Sequence, residues 1–170
     1  MFKKISIIIM LCLISSLTFA QTAPKQVLSE KDINNFITNY KKIMDAFDIL
    51  DDKYSHLFDS IDENSGFEGM IKMRSIKVPA EIQDIFRKNG LGDNGFEKVL
   101  IIIQGTMVVV MEDDIKSLSE KLEANKEWAE TMAESIKQSR EAVKTLKNSI
   151  NNRDLALINS KKDKLIEILK

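Results

Sequence analysis

The single histidine of the chain, His56, follows two aspartates at helical intervals. Asp48, Asp52 and His56 are four residues apart, so on a continuous helix their side chains would lie on one ridge. Carboxylate and imidazole groups bind divalent metals such as zinc, which makes these three residues the weak metal-site candidates of the sequence. Since no His-Glu-x-x-His motif accompanies them, we favour a solvated face in which Asp52 pairs with His56, and we expect no bound metal or other cofactor.

Nucleophilic catalysis has little support in the sequence. The single cysteine, Cys12, lies in an N-terminal apolar run, and no Gly-x-Ser-x-Gly motif is present. The glycine-rich run 89–95 lacks the Lys-Ser or Lys-Thr pair of a phosphate-binding loop, so it is predicted to connect two helices. We therefore expect a protein that is not an enzyme, without catalytic or cofactor-binding residues.

The N-terminus predicts export. Two lysines precede the apolar stretch 5–14, and small residues end at Ala20, which is the pattern of a secretory signal peptide over residues 1–20. The uncharged stretch that ends at Ala20 is shorter than the roughly 20 residues that a membrane-spanning helix needs. We therefore expect cleavage after Ala20, no membrane span in the mature chain, and an exported bacterial protein that is periplasmic or secreted.

Composition restricts the domain organisation and the class of partner. The chain of 170 residues has a net charge of −1, and removal of residues 1–20 takes away two lysines, which leaves a net charge of −3 and no cysteine. A nucleic-acid partner calls for a basic surface, so we expect none. A chain of this length forms one domain, here 29–170, and the polar segment 21–28 before it is predicted to be a flexible arm.

A capped helix is predicted at the start of the domain. Residues 29–32, with the sequence Ser-Glu-Lys-Asp, resemble a capping box in which Asp replaces the usual Glu. Apolar residues then follow at helical spacing as far as Ile61, which predicts a helix of about 30 residues. The run 62–66 contains Asn, Ser and Gly, which favour a turn, so the helix is expected to end there.

Shorter helices are predicted before the apolar segment 99–111 and at the end of the chain. Pro79 and Gly90 are placed to begin and to end a helix of about three turns. The segment 67–77 fits either a short helix or an irregular stretch over the core. A last helix is predicted from about Asp154 to Leu169, with leucine and isoleucine side chains inward and lysines outward.

The most apolar segment of the mature chain, 99–111, is ambiguous by periodicity alone. Only Gln104, Gly105 and Thr106 interrupt its Val, Leu, Ile and Met residues. A buried helix and a β-hairpin with a Gln-Gly-Thr turn both fit this composition. We favour the helix, because the surrounding segments are helical and a lone hairpin is only marginally stable.

From residue 115 to 150, apolar residues recur at intervals of three and four, as in a coiled-coil seam. This spacing predicts one long helix, and Asn125 marks a break at which a new helix could start. Two gaps in the seam are filled by Asn125 and Ser139. The apolar seam positions are Ile115, Leu118, Leu122, Ala129, Met132, Ile136, Val143, Leu146 and Ile150.

Together these patterns predict an all-α, single-domain bundle of four to six helices around the apolar helix 99–111. Two functions from different classes fit such a bundle. In the first, it is an interaction or scaffold protein of the cell envelope that binds a partner protein or itself through the 115–150 seam. In the second, it carries a small apolar, lipid-like ligand in the bundle core.

Overall fold

The computed structural model of the protein describes residues 23–62, 65–123 and 126–170, with the side chains of 123 and 126–131 outside the description. In these ranges the chain forms seven α-helices and no strand, which confirms the predicted all-α single domain. The predicted signal peptide, residues 1–20, and the predicted break at Asn125 lie outside the described residues. The helices are α1 (Glu30–Tyr54), α2 (Gly66–Met73), α3 (Ala80–Lys88), α4 (Gly95–Glu123), α5 (Lys126–Asn148), α6 (Asn152–Ser160) and α7 (Lys162–Leu169), and a 3-10 helix, Ser55–Phe58, follows α1.

The predicted capping box begins α1. The Ser29 hydroxyl accepts a hydrogen bond from the backbone N–H of Asp32 at 3.3 Å, and the Asp32 carboxylate accepts one from the backbone N–H of Ser29 at 2.8 Å. These bonds satisfy N–H groups that have no partner within the helix. With the 3-10 helix that follows it, the helical path reaches Phe58, close to the predicted end at Ile61.

The apolar segment 99–111 lies entirely within α4, so the helix prediction is confirmed and the hairpin alternative is wrong. Val99 and Ile102 on this helix are fully buried. Gly105 brings α6 close to α4, because a Cβ atom at this position would meet the side chain of Ile158. The described helices include none with both the length and the apolar character needed to cross a bilayer.

The short helices resolve the ambiguous segment 67–77. The first part of that segment is helical, in α2, and the chain leaves the helix at Arg74. Pro79 stands directly before α3, at its N-cap position, and Gly90 follows its end with φ of 80°. This left-handed conformation suits glycine, so the predicted stop and the predicted connector 89–95 are both confirmed.

The predicted last helix is divided in two, which corrects the single helix expected over 154–169. Lys161 has φ of −119° and ψ of 13°, outside the helical region, and separates α6 from α7. Leu155 and Leu165 are buried on the two sides of the break, as their spacing predicted. Because the apolar spacing continues through Lys161, periodicity gave no sign of the break. The additional helices α2 and α7 raise the number above the expected four to six.

An extended segment before α1, residues 23–28, lies against the start of α6, and we call it the strap. The buried carboxylate of Asp154 accepts hydrogen bonds from the backbone N–H groups of Val27 at 2.9 Å and Leu28 at 3.0 Å. The Asn151 side chain donates to the carbonyl of Pro24 at 2.6 Å. The part of the predicted flexible arm that the structure describes is thus fixed at three points, by residues more than 120 positions away in sequence.

Candidate binding surfaces

The structure does not bring the predicted metal candidates together. Asp48 and Asp52 are exposed on α1, whereas His56 lies beyond the end of that helix, in the 3-10 turn. A 3-10 helix has three residues per turn, so His56 does not continue the ridge of the aspartates. Its ring stands beside Tyr54, at 6.3 Å between centroids, and no ion pair joins it to Asp52. Among the described residues no group of three or more His, Cys, Asp and Glu side chains could hold a metal ion.

The two halves of the predicted seam lie on α4 and α5, and they pack against each other because these helices form an antiparallel hairpin. Lys147 of α5 binds Glu112 of α4 at 2.6 Å. About two helical turns further along α4, the Ser119 hydroxyl accepts a hydrogen bond from Arg140 of α5 at 2.8 Å. The increase in number along α4 matches a decrease along α5, which defines the antiparallel direction. Seam residues that we expected on one face of a long helix therefore face each other within one chain. Near the bundle they are core residues, and Val143 is only 3% exposed.

Farther from the bundle the same hairpin is less covered. The described hydrophobic core reaches Ile115 on α4 and Val143 on α5, and does not include the seam residues beyond them. Leu122 is buried, whereas Leu118, Met132 and Ile136 are half-buried. The outer part of the two-helix layer thus exposes part of its apolar seam.

A surface groove of about 600 Å³ runs between the two helices, and we call it the hairpin groove. Ile115 and Val143 contribute apolar surface to it. Lys116 and Lys144 are exposed and form no ion pair with the described carboxylates, while Lys147 is neutralised by Glu112. The groove therefore combines an apolar floor with an excess of positive charge. Its lining residues are Glu112, Ile115, Lys116, Ser119, Glu120, Arg140, Val143, Lys144 and Lys147.

A second polar feature, which the sequence analysis missed, is a half-buried arginine, Arg74, bonded to a buried glutamine. The Nε of Arg74 donates to Gln104 at 2.5 Å, and its Nη1 donates to the carbonyl of Ser149 at 2.8 Å. Gln104, 1% exposed, also donates to the carbonyl of Met70 at 2.7 Å. Burial lowers the pKa of the Arg74 guanidinium to about 10, against an opposing effect of the Glu97 charge.

The sequence contained one sign of this network. Gln104 interrupts the apolar run 99–111, and a polar side chain in a buried helix needs a hydrogen-bond partner. The sequence does not show that the partner is Arg74, which lies 30 residues earlier and follows the end of a short helix.

Comparison with known proteins adds no relative. No family model matches the chain, and no curated protein and no solved structure matches it. The function must therefore be argued from the residues and the geometry described above.

Proposed function

We propose that this is a non-enzymatic binding protein of the bacterial cell envelope and that it binds a partner protein through the hairpin groove. The observation that carries the proposal is the groove itself, in which half-buried Ile115 lies between Lys116 and Lys144, two exposed cations that form no ion pair with the described carboxylates. Apolar surface between two helices can be covered by a third helix, which packs its own apolar face into the groove. This extends the predicted interaction role to a specific surface.

The charge of the groove supports an acidic amphipathic helix as the occupant. Lys116 and Lys144 stand on opposite helices at its rim, and neither has a carboxylate partner among the described residues. A helix with an apolar stripe and Asp or Glu beside that stripe would cover the half-buried Ile115 and pair with both lysines. Complementary charge of this kind speeds association and excludes basic partners.

Core packing favours this role over the carrier of an apolar ligand. At the centre of the bundle Phe36, Phe86 and Ile102 are fully buried, and the ring of Phe47 contacts the rings of Phe86 and Phe96 at about 6 Å. These side chains occupy the space that a lipid-like molecule would need. The hairpin groove, in contrast, opens at the surface and has charged residues along its rim.

Export is part of the proposal, supported by the pattern of residues 1–20. The test is the mass of the protein isolated from the envelope fraction of its host. A mass that corresponds to a chain beginning at Gln21 supports export with cleavage. The full-length mass, or recovery from the cytoplasm alone, would contradict it.

The groove itself is tested by reversal of its charge. We expect the tagged wild type, purified from its host at low ionic strength without a cross-linker, to retain a partner of defined mass that is released at high ionic strength, because salt screens the exposed lysines. The variant with Lys116→Glu and Lys144→Glu should lose this partner.

The matched control combines Lys41→Glu and Lys164→Glu, which makes the same charge change on two exposed residues outside the groove. It should retain the partner, and circular dichroism should show that all variants are equally helical. Equal retention by the groove variant and the control variant would contradict the proposed site.

A further inference from the structure

Two buried side-chain atoms in the described part of the chain have no hydrogen-bond partner, and they belong to residues that line one cleft. They are Nη2 of Arg74, a donor, and Oε1 of Gln83, an acceptor. The cleft has a volume of about 320 Å³ and lies between α3 and the start of α4. An unsatisfied buried polar group destabilises the folded state, so two at one place are unusual in a folded protein.

A carboxylate stands at the same cleft. Glu97 lines it, and the interaction described for this residue is its electrostatic attraction to Arg74. The cleft therefore offers a cationic donor, a neutral acceptor and an anionic acceptor. A ligand with an anionic acceptor for Arg74 and a cationic donor for Glu97 and Gln83 would form the strongest hydrogen bonds with all three.

The guanidinium is fixed in place before any ligand arrives. Gln104 holds its Nε and the carbonyl of Ser149 holds its Nη1, so the direction of the free Nη2 group is set by the fold. A group that is already ordered loses little conformational freedom on binding. The same hydrogen bonds that stabilise the fold therefore also hold the guanidinium ready for a ligand.

We infer that this cleft binds a small zwitterion of the α-amino-acid class, with its carboxylate on Arg74 and its ammonium group between Glu97 and Gln83. Ile76, which is half-buried, lines the same cleft and offers apolar surface to the rest of the molecule. The two unsatisfied atoms are shielded from solvent, and Lys77 is an exposed residue of the same cleft. This inference is independent of the hairpin groove.

The experiment is a calorimetric titration of the purified chain with an equimolar mixture of the twenty L-amino acids, followed by each amino acid that binds. Acetate and methylamine, which carry only one of the two charged groups, are the ligand controls. We expect millimolar or tighter binding of at least one amino acid, and binding at least about tenfold weaker for acetate and methylamine. The absence of binding by the mixture, or equal binding of acetate, would overturn the inference.

Variants of the cleft distinguish an effect on binding from an effect on folding. Glu97→Gln removes the carboxylate and should weaken binding about tenfold or more. Gln83→Leu removes the unsatisfied acceptor, so it should abolish binding and at the same time raise the melting temperature. Gln138→Leu, the same change on the exposed face of α5, should leave binding unchanged. Binding that is equal in the wild type, Glu97→Gln and Gln83→Leu would also overturn the inference.

Discussion

At the scale of single residues, Asp32 links the first helix to the central one. Its carboxylate closes the capping box with Ser29 and accepts a hydrogen bond from the ammonium group of Lys98, on α4, at 2.7 Å. Burial alone would raise the pKa of Asp32, but the hydrogen bonds from Lys98 and Ser29, together with the Lys98 charge, lower it. The ionised carboxylate therefore stabilises the folded state.

Asp32→Asn should reduce the free energy of unfolding at neutral pH by about 2 kcal/mol, because charge-assisted hydrogen bonds are lost. The folded-state pKa lies below the unfolded value near 3.8, so this contribution is present above that value and disappears as the pH falls through the folded-state pKa. Urea denaturation between pH 7 and pH 2 measures the difference. Equal unfolding free energies of variant and wild type at pH 7 would contradict this account of Asp32.

A second prediction concerns the hydrogen bond between Arg74 and the buried Gln104. Gln104→Leu leaves the Nε of Arg74 and the carbonyl of Met70 without a partner, so it should destabilise the fold by about 2–3 kcal/mol although leucine suits an apolar environment. Combining it with Arg74→Met removes the stranded charge and should cost less than the sum of the two single changes. Urea denaturation of the four proteins measures the coupling, and strict additivity would show that the residues act independently.

At the scale of helices, the sequence predicts the elements whose signals are local. The cap at Ser29 and the stop at Gly90 act within a few residues, and the composition of 99–111 together with its neighbours indicated a helix. The break at Lys161 was not predictable, because the apolar spacing is the same on both sides of it. Contacts between distant segments, such as the strap on Asp154, leave no periodic signal in either segment.

Two glycines of the connector before α4 test how the backbone conformation between helices contributes to stability. Gly90 and Gly92 both have positive φ, at 80° and 74°, but a Cβ atom would contact the Asn35 side chain only at Gly90. Gly92→Ala should cost about 1 kcal/mol from backbone strain, and Gly90→Ala should cost more, about 2 kcal/mol, because the Asn35 bond to its carbonyl is also disturbed. Chemical denaturation of both variants measures the difference. If Gly92→Ala were the more damaging change, this interpretation of the connector would be wrong.

At the scale of the whole molecule, the strap joins the start of the described chain to its C-terminal helices. Asp154 is completely buried, and the strap supplies the two backbone N–H groups that it binds. Asp154→Ala should therefore lower the free energy of unfolding by about 2–3 kcal/mol and make residues 23–28 accessible to proteases. Asp163→Ala, an exposed aspartate on α7, is the control and should do neither. Equal protection of the strap in Asp154→Ala would contradict its anchoring role.

The candidate sites were less predictable than the fold. Spacing alone placed Asp48, Asp52 and His56 on one ridge, but the helix ends at Tyr54, before the third of them. The 115–150 seam contained the right apolar residues, yet a pattern of three and four does not show whether its partner is another chain or the preceding helix of the same chain. The Arg74 cleft depends on three elements that meet only in the folded protein.

The central claim, that the hairpin groove is the binding surface, is tested most directly by site-specific photo-cross-linking in the living host. Benzoylphenylalanine in place of Glu120 stands in the groove without removal of either lysine, and in place of Lys164 it stands on an exposed part of α7. The account predicts one adduct of defined mass from position 120 and none of that mass from position 164. The same adduct from both positions, or none from position 120, would contradict it.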